Sequence, residues 1–336
     1  MKRILGWIKR HQVLAFFILT YTMSWSVMAI YFLLFEGNQE VGVFFEPLIV
    51  FNPALIAMFI SGLVAPQPKL QRGTKRWIAF LIAWLFSAAV LILYGWKIYH
   101  IDDLMVLLLA FGLVAIFPAW VLSSVFSRTH GIRKLLSTLC KPRGPLVWYV
   151  VVFLIFPGIP LLGMGITGLL GGEAEFYLSG KPFWEILFIL VLEFLRVFLM
   201  TGGINEESGW RGFALPRMQF RFPVFVSALI VGFFWSMWHL PFDFGTNVPI
   251  AWILENRLVW TLVFSVLMAW LYNRTNGSLL APVLFHSGMN AFGNQFSQTT
   301  VGNLLLIIVL IIAFVSDRMW QKLPPDHPAV YPLVEQ

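Results

Sequence analysis

Long apolar runs separated by short polar loops alternate along the whole chain. The first runs from about Val13 to Phe35, and others lie near 47–65, 77–95, 104–126, 146–168, 183–204, 222–241, 257–273, 279–297 and 301–316. A helix needs about 20 apolar residues to cross the hydrocarbon core of a bilayer. The pattern therefore predicts an all-α protein, a polytopic transmembrane bundle of about ten membrane helices.

The composition agrees with this pattern. Of the 336 residues 59% are hydrophobic and 12% are charged, whereas soluble chains carry about 25% charged residues. The formal net charge is +7, and the basic residues concentrate in alternate loops and at both ends. This bias predicts that both termini are cytoplasmic. Membrane lipid is then the expected partner, and the basic charge needs no nucleic acid to explain it.

One polar stretch, Asn205 to Gly212, interrupts the apolar pattern with Glu206, Glu207 and Arg211. Ionisable residues beside a membrane helix indicate a functional site. In a helix, Glu207 and Arg211 share a face and can pair, while Glu206 points about 100° away. We therefore expect Glu207 to be neutralised by Arg211 and Glu206 to be left for chemistry, as a general base in a site poor in water.

Two later segments supply possible partners for Glu206. His239 ends the segment that begins at Trp235, and His286 and Asn290 are four residues apart on one helical face. A turn near 220–223 lies about midway between Glu206 and His239, so an antiparallel helix pair brings them to similar depth. The sequence therefore predicts that the three segments meet in space.

This set of residues is compatible with two hydrolytic mechanisms. Glu206, His239 and His286 could bind zinc, with a fourth position open for water. Alternatively, Glu206 and His239 activate water without a metal, and His286 and Asn290 stabilise the oxyanion. Both versions describe hydrolysis of an amide bond, and both stay open at this point.

The three segments together resemble the motif triplet of the CPBP family. The triplet reads Glu-Glu-x-x-x-Arg, then an aromatic-x-x-x-His, then His-x-x-x-Asn, and the resemblance covers residues 183 to 297. Trp235 stands where many members have Phe. The family includes type II CAAX prenyl proteases and bacteriocin-processing and immunity proteins, and the residues around Trp210 and Trp238 look like its bacterial members.

The resemblance implies an intramembrane endopeptidase in a bacterial plasma membrane, acting on a membrane-associated protein or peptide. It implies that Glu206 activates water, that His239 assists, and that His286 and Asn290 hold the transition state or a metal. Members have been described both as metalloproteases and as metal-independent glutamate proteases. The prenylated substrate of the eukaryotic relatives is not carried over to this chain.

The chain divides into three regions on this reading. Residues 1–180 form membrane helices without assigned chemistry, 181–300 form the CPBP-like catalytic core, and 301–336 form the last membrane helix and a Pro-rich cytoplasmic tail. We expect the tail from Leu323 to be irregular and disordered. Asp243, near a proline, is interpreted as a loop residue, and Glu193 is expected to pair with Arg196.

Two other functions compete with proteolysis. A non-catalytic immunity or scaffold protein could retain the protease fold, but the intact motifs favour an enzyme. A transporter could use the buried acid and histidines to carry protons. Transporters usually show internal repeats, and residues 1–180 hold no second copy of the acidic motif. The transporter hypothesis therefore ranks last.

Overall fold

The computed structural model describes residues 2–65 and 73–331, and in these ranges helices account for nearly all regular structure. The N-terminal helices are α1 (Lys2–Arg10), α2 (Gln12–Phe35), α3 (Gln39–Val50), α4 (Asn52–Val64) and α5 (Thr74–Lys97). A segment with π and 3-10 turns follows: α6 (Leu104–Val106), Leu107–Phe111, α7 (Gly112–Val114), α8 (Ile116–Ser123) and Ser124–Phe126.

The second half of the chain is also helical. It contains α9 (His130–Cys140), α10 (Val147–Leu169), α11 (Phe183–Leu199), α12 (Ile204–Gly209), the π turn Trp210–Ala214, α13 (Leu215–Gln219), α14 (Val224–Trp238), α15 (Leu240–Gly245), α16 (Ile250–Trp252), the π segment Ile253–Trp260, α17 (Thr261–Arg274), α18 (Leu280–Gly293) and α19 (Thr300–Ser316). Within the described ranges there is no strand, only one isolated antiparallel bridge between Phe176 and Phe296.

The predicted all-α membrane bundle is confirmed. Lipid offers no hydrogen bonds to the backbone, so apolar spans must satisfy their own backbone groups as helices. Among the described residues, eight helical stretches are long and apolar enough to cross a membrane: Gln12–Phe35, Val41–Val64, Thr74–Lys97, Leu104–Phe126, Val147–Leu169, Phe183–Gln219, Val224–Gly245 and Ile250–Arg274. The other two predicted spans form the shorter helices α18 and α19. The chain is an integral membrane protein; its orientation and bacterial origin stay predictions.

The helix that ends in α17 begins earlier than the apolar pattern predicts. It starts at Ile250 instead of about 257 and takes in the polar residue Arg257. Arg257 can lie inside this helix because both carboxylate oxygens of Asp243 accept hydrogen bonds from it, at 2.8 and 2.7 Å. The loop assignment of Asp243 is wrong: it lies in α15 and is 1% exposed. A buried charge is tolerated only when it is paired, and the apolar pattern alone does not reveal that partner.

The Pro-rich tail is irregular, as predicted, but it is packed from Leu323 to Tyr331. Ala329 and Val330 are buried. The Gln219 side chain donates to the Ala329 carbonyl at 2.9 Å, and the Tyr331 amide donates to the Pro216 carbonyl at 2.9 Å. The prediction of a disordered end is therefore wrong for these residues, because backbone hydrogen bonds and apolar contacts hold the tail without a helix. Residues 332–336 lie outside the described ranges.

The stretch Phe183–Gln219 positions the acidic motif. Its helix is interrupted at residues 200–203, where Gly202 has φ +131°, a backbone conformation that favours glycine. α12 restarts the helix with Glu206 and Glu207 in its first turn and packs against α4. α18 packs against α10 and α11, and α14 packs against α17. The three motif helices therefore face one another in the interior of the bundle.

Candidate active site

Glu207 and Arg211 form the buried ion pair that their spacing predicts. Arg211 Nη1 lies 2.9 Å from Glu207 Oε1, and both side chains are 0% exposed. The same carboxylate oxygen lies 2.8 Å from His286 Nδ1. Sequence reasoning missed the contact with His286, because His286 is 79 residues away in the chain. Glu207 is thus held by two motif residues and faces neither lipid nor water.

Glu206 has a different environment from its neighbour. Its Oε2 accepts a hydrogen bond of 2.6 Å from the Trp235 indole Nε1, and the residue is 4% exposed and lines a cavity. Sequence reasoning treated Trp235 only as the aromatic position of its motif. Phe has no N–H group, so the Trp at this position was a signal that a hydrogen-bond acceptor lies nearby.

His239 is oriented by the backbone of its own helix. Its Nδ1 lies 2.9 Å from the Trp235 carbonyl oxygen. A carbonyl can only accept, so Nδ1 carries the hydrogen and Nε2 of the neutral ring is left as an acceptor. His239 is half-buried and lines the same cavity as Glu206.

His286 and Asn290 reach the site from α18 at the interruption before α12. The Asn290 side-chain amide donates to the Thr201 carbonyl at 3.1 Å. A Cβ atom added to Gly202 would collide with the His286 ring, so glycine lets the two segments approach closely. The interruption in the motif helix therefore creates the space that the His286 ring occupies.

Four of the predicted site residues line one cavity of about 1140 Å³. They are Glu206, His239, His286 and Asn290. Small-molecule pockets span about 300–1,000 Å³, so this cavity can hold a ligand of peptide size. The other two, Glu207 and Arg211, are not part of the cavity lining; Glu207 pairs with both Arg211 and His286.

Arg257 is a further polar residue on the cavity wall that sequence reasoning missed. It is held by the buried Asp243, and its backbone carbonyl accepts a 3.0 Å hydrogen bond from Ser236. Ser236 belongs to the same helix as Trp235. The hydrogen bond between Ser236 and Arg257 thus joins the helix that leads to His239 to the stretch that leads into α17.

The donor set does not form a three-ligand metal site as it is arranged here. Within residues 2–65 and 73–331, no three His, Cys, Asp or Glu side chains are grouped closely enough to bind one ion. Zinc binding by Glu206, His239 and His286 stays a prediction.

The fold and the site together define an integral membrane protein with a buried carboxylate–imidazole centre open to a large cavity. Residues 182–292 match the family model of the type II CAAX prenyl endopeptidase Rce1-like domain. The chain is also 28% identical over 188 residues to CAAX prenyl protease 2 of Methanococcus maripaludis, an alignment that covers 52% of this chain and 68% of the relative. Both matches agree with the motif resemblance: residues 182–292 are similar to type II CAAX prenyl endopeptidases, and this similarity supports a CPBP-family protease.

Proposed function

We propose that this protein hydrolyses a peptide bond in a membrane-associated protein or peptide, with Glu206 as the base that activates water. The contrast between two adjacent carboxylates carries this proposal. Glu207 lies outside the cavity lining, and its Oε1 is bound by both Arg211 and His286. Glu206 lines the cavity, and one of its oxygens is fixed by Trp235. The other Glu206 oxygen is the acceptor available to a water molecule.

The reaction begins when Glu206 takes a proton from that water. His239 Nε2, an acceptor in the neutral ring, orients the water through its second hydrogen. The water oxygen then bonds to the carbonyl carbon of the substrate, and the carbonyl oxygen becomes an oxyanion. The C–N bond breaks as Glu206 returns its proton to the leaving nitrogen, which restores the carboxylate. Proton transfer by a positioned side chain typically contributes 10²–10⁴-fold to a rate.

Asn290 and His286 are the residues we assign to the oxyanion. Both line the cavity beside Glu206. The Asn290 amide group is held by the Thr201 carbonyl, and the His286 ring is held at Nδ1 by Glu207. Fixed donors aimed at developing negative charge are a large source of rate enhancement because they need no reorganisation.

Cleavage by the purified protein in detergent tests the proposal. Wild type and Glu206→Gln are incubated with a pool of membrane-anchored peptides, prenylated and unprenylated, and the products are read by mass spectrometry. Gln keeps the size of the side chain and an oxygen that accepts from Trp235. We expect the rate to fall by about 10²–10⁴-fold. Glu255→Gln, at an exposed position outside the cavity lining, is the matched control and should cleave at the wild-type rate.

Two outcomes would redirect the proposal. If Glu206→Gln cleaves as fast as wild type, Glu206 is not the base. If wild type cleaves no peptide in the pool, and cells carrying Glu206→Gln behave like wild type, the non-catalytic scaffold hypothesis moves ahead. Metal content measured on the same samples, with and without chelator, tests the zinc prediction separately.

A further inference from the structure

A second carboxylate, Glu46 of α3, lies on the wall of the cavity. Gly42, Glu46, Ile49 and Val50 all line the cavity, as expected for positions three and four apart on one helical face. Phe44 and Leu48, on the other side of the helix, are 46% and 45% exposed. Glu46 is exposed, and it lines the cavity.

The two arginines that could neutralise Glu46 are already bound to other carboxylates. Arg196 attracts Glu46 electrostatically, but its guanidinium is held by both oxygens of Glu193, at 3.0 and 2.6 Å. Arg257, the arginine on the cavity wall, is held in the same way by Asp243. Among the described residues, Glu46 forms no ion pair within 4 Å and no side-chain hydrogen bond.

The lining therefore has an excess of negative charge. Glu46 and Glu206 contribute carboxylates that no cation of the cavity wall neutralises, whereas Arg257 is balanced by Asp243. A cleft lined by one sign of charge, with walls of low dielectric, concentrates ligands of the opposite sign. Tyr31, Tyr99 and Trp252 also line the cavity, and aromatic rings favour a cation further.

The position of Glu46 relates it to the reacting bond. The Asn205 side chain, next to Glu206, donates to the Val50 carbonyl at 3.2 Å. Glu46 lies one helical turn before Val50, which is about 6 Å along the helix axis. An extended peptide advances about 3.3 Å per residue. Glu46 and Glu206 line the same cavity, so Glu46 can meet a side chain within a few residues of the bond that Glu206 hydrolyses.

We propose that Glu46 selects the substrate, by binding a lysine or arginine side chain that the bound peptide carries within a few residues of the scissile bond. This inference rests on the proposed function for the identity of the ligand as a peptide. It adds a specificity that the family motifs do not contain, because Glu46 lies outside the matched segment 182–292.

Equilibrium binding tests this inference without turnover. The full-length protein carrying Glu206→Gln is titrated in detergent with fluorescent membrane-anchored peptides, identical except that a lysine or a glutamine is scanned through five positions. We expect one or two lysine peptides to bind about tenfold more tightly than their glutamine partners, equivalent to about 1.4 kcal/mol. Adding Glu46→Gln should remove this preference, and adding Glu46→Lys should transfer it to peptides with glutamate at the same position.

Glu36→Gln is the matched control, since Glu36 is exposed at the end of α2 and does not line the cavity; it should keep the preference for lysine. Equal binding of lysine and glutamine peptides, or a preference that survives Glu46→Gln, would overturn the inference. A lower melting temperature in Glu46→Gln with an unchanged preference would show a structural role only and would also overturn it.

Cleavage of the same peptides by the protein with Glu206 intact separates the two proposals. Binding that prefers lysine, without cleavage of any peptide, would count against proteolysis and leave the role of Glu46 in place. Cleavage at equal rates for lysine and glutamine peptides, with equal binding, would remove the role of Glu46 and leave proteolysis in place.

Discussion

The segment from Phe183 to Gly293 and the N-terminal helices α2 to α4 contribute to this site in different ways. The first holds every side chain that we assign to the reaction. The second holds none of them, yet it fixes their positions. The Tyr21 hydroxyl donates to the Phe234 carbonyl at 2.5 Å, the Trp25 indole donates to the Trp238 carbonyl at 3.1 Å, and the Val50 carbonyl accepts from Asn205.

This comparison shows why a motif search sees only part of the site. Reacting groups must be of a particular chemical type, so they leave a recognisable pattern in the sequence. Supporting contacts use backbone carbonyls and close packing, which many residue types can provide.

The largest effect is expected within the motif segment, for Arg211→Ala. The change leaves the buried Glu207 carboxylate without its arginine, and breaking a buried pair costs about 3–5 kcal/mol. We expect the free energy of unfolding, measured by denaturant titration in mixed micelles, to fall by that amount and cleavage to be lost. Lys181→Ala is the control, since it breaks an i,i+4 pair with Glu185 that is 43% and 44% exposed. Its cost should stay below about 1 kcal/mol, and equal costs for the two variants would contradict the role of burial.

Gly202→Ala should affect activity more than any other small substitution in the motif segment. The backbone at Gly202 has φ +131°, and a Cβ there would displace the His286 ring. Strain of this kind costs about 1–3 kcal/mol, and misplacing a site residue by about 1 Å can reduce the rate about 10²-fold. Gly168→Ala in α10, where nothing lies within 4 Å of the added carbon, should leave the cleavage rate unchanged. Wild-type cleavage by Gly202→Ala would show that His286 tolerates displacement.

Gly209→Ala tests the contact between the two regions directly. The added carbon would lie 2.7 Å from the Pro53 carbonyl oxygen of α4, which is backbone and cannot move aside easily. Overpacking of this kind costs about 1–3 kcal/mol, seen as a lower melting temperature. Gly212→Ala, in the same motif, meets only the Leu135 and Leu279 methyl groups, at 3.3 Å, and should cost less. The reverse order would mean that α4 does not hold the motif helix in place.

The smallest effect is expected from Tyr21→Phe, which removes the hydroxyl that binds the Phe234 carbonyl. One hydrogen bond contributes about 0.5–1.5 kcal/mol to stability, and we expect a loss of that size, with a modest fall in cleavage. Tyr177→Phe, at a position 58% exposed, provides the control and should change neither quantity. If both variants match wild type, the Tyr21 hydroxyl does not contribute measurably to stability or cleavage.

Local patterns in the sequence were sufficient for the helices and for contacts within a single helix. The bilayer forces apolar spans to be helical, so the spans follow from their length and apolarity. Helical spacing correctly predicted the pairs Glu207–Arg211 and Glu193–Arg196. It did not predict where spans with polar residues begin, as Arg257 shows, because a charge is accepted inside a span once a partner from another helix neutralises it.

The sequence by itself determined the class of fold, the family resemblance and the identity of the groups that meet at the site. Only the tertiary structure decided which of those groups bind one another. Trp235 binds Glu206 across 29 residues and His286 binds Glu207 across 79, and Glu46 joins the same cavity from a helix that no motif marks. Contacts of this kind depend on how helices pack side by side, and the 3.6-residue period of a single helix carries no information about its neighbours.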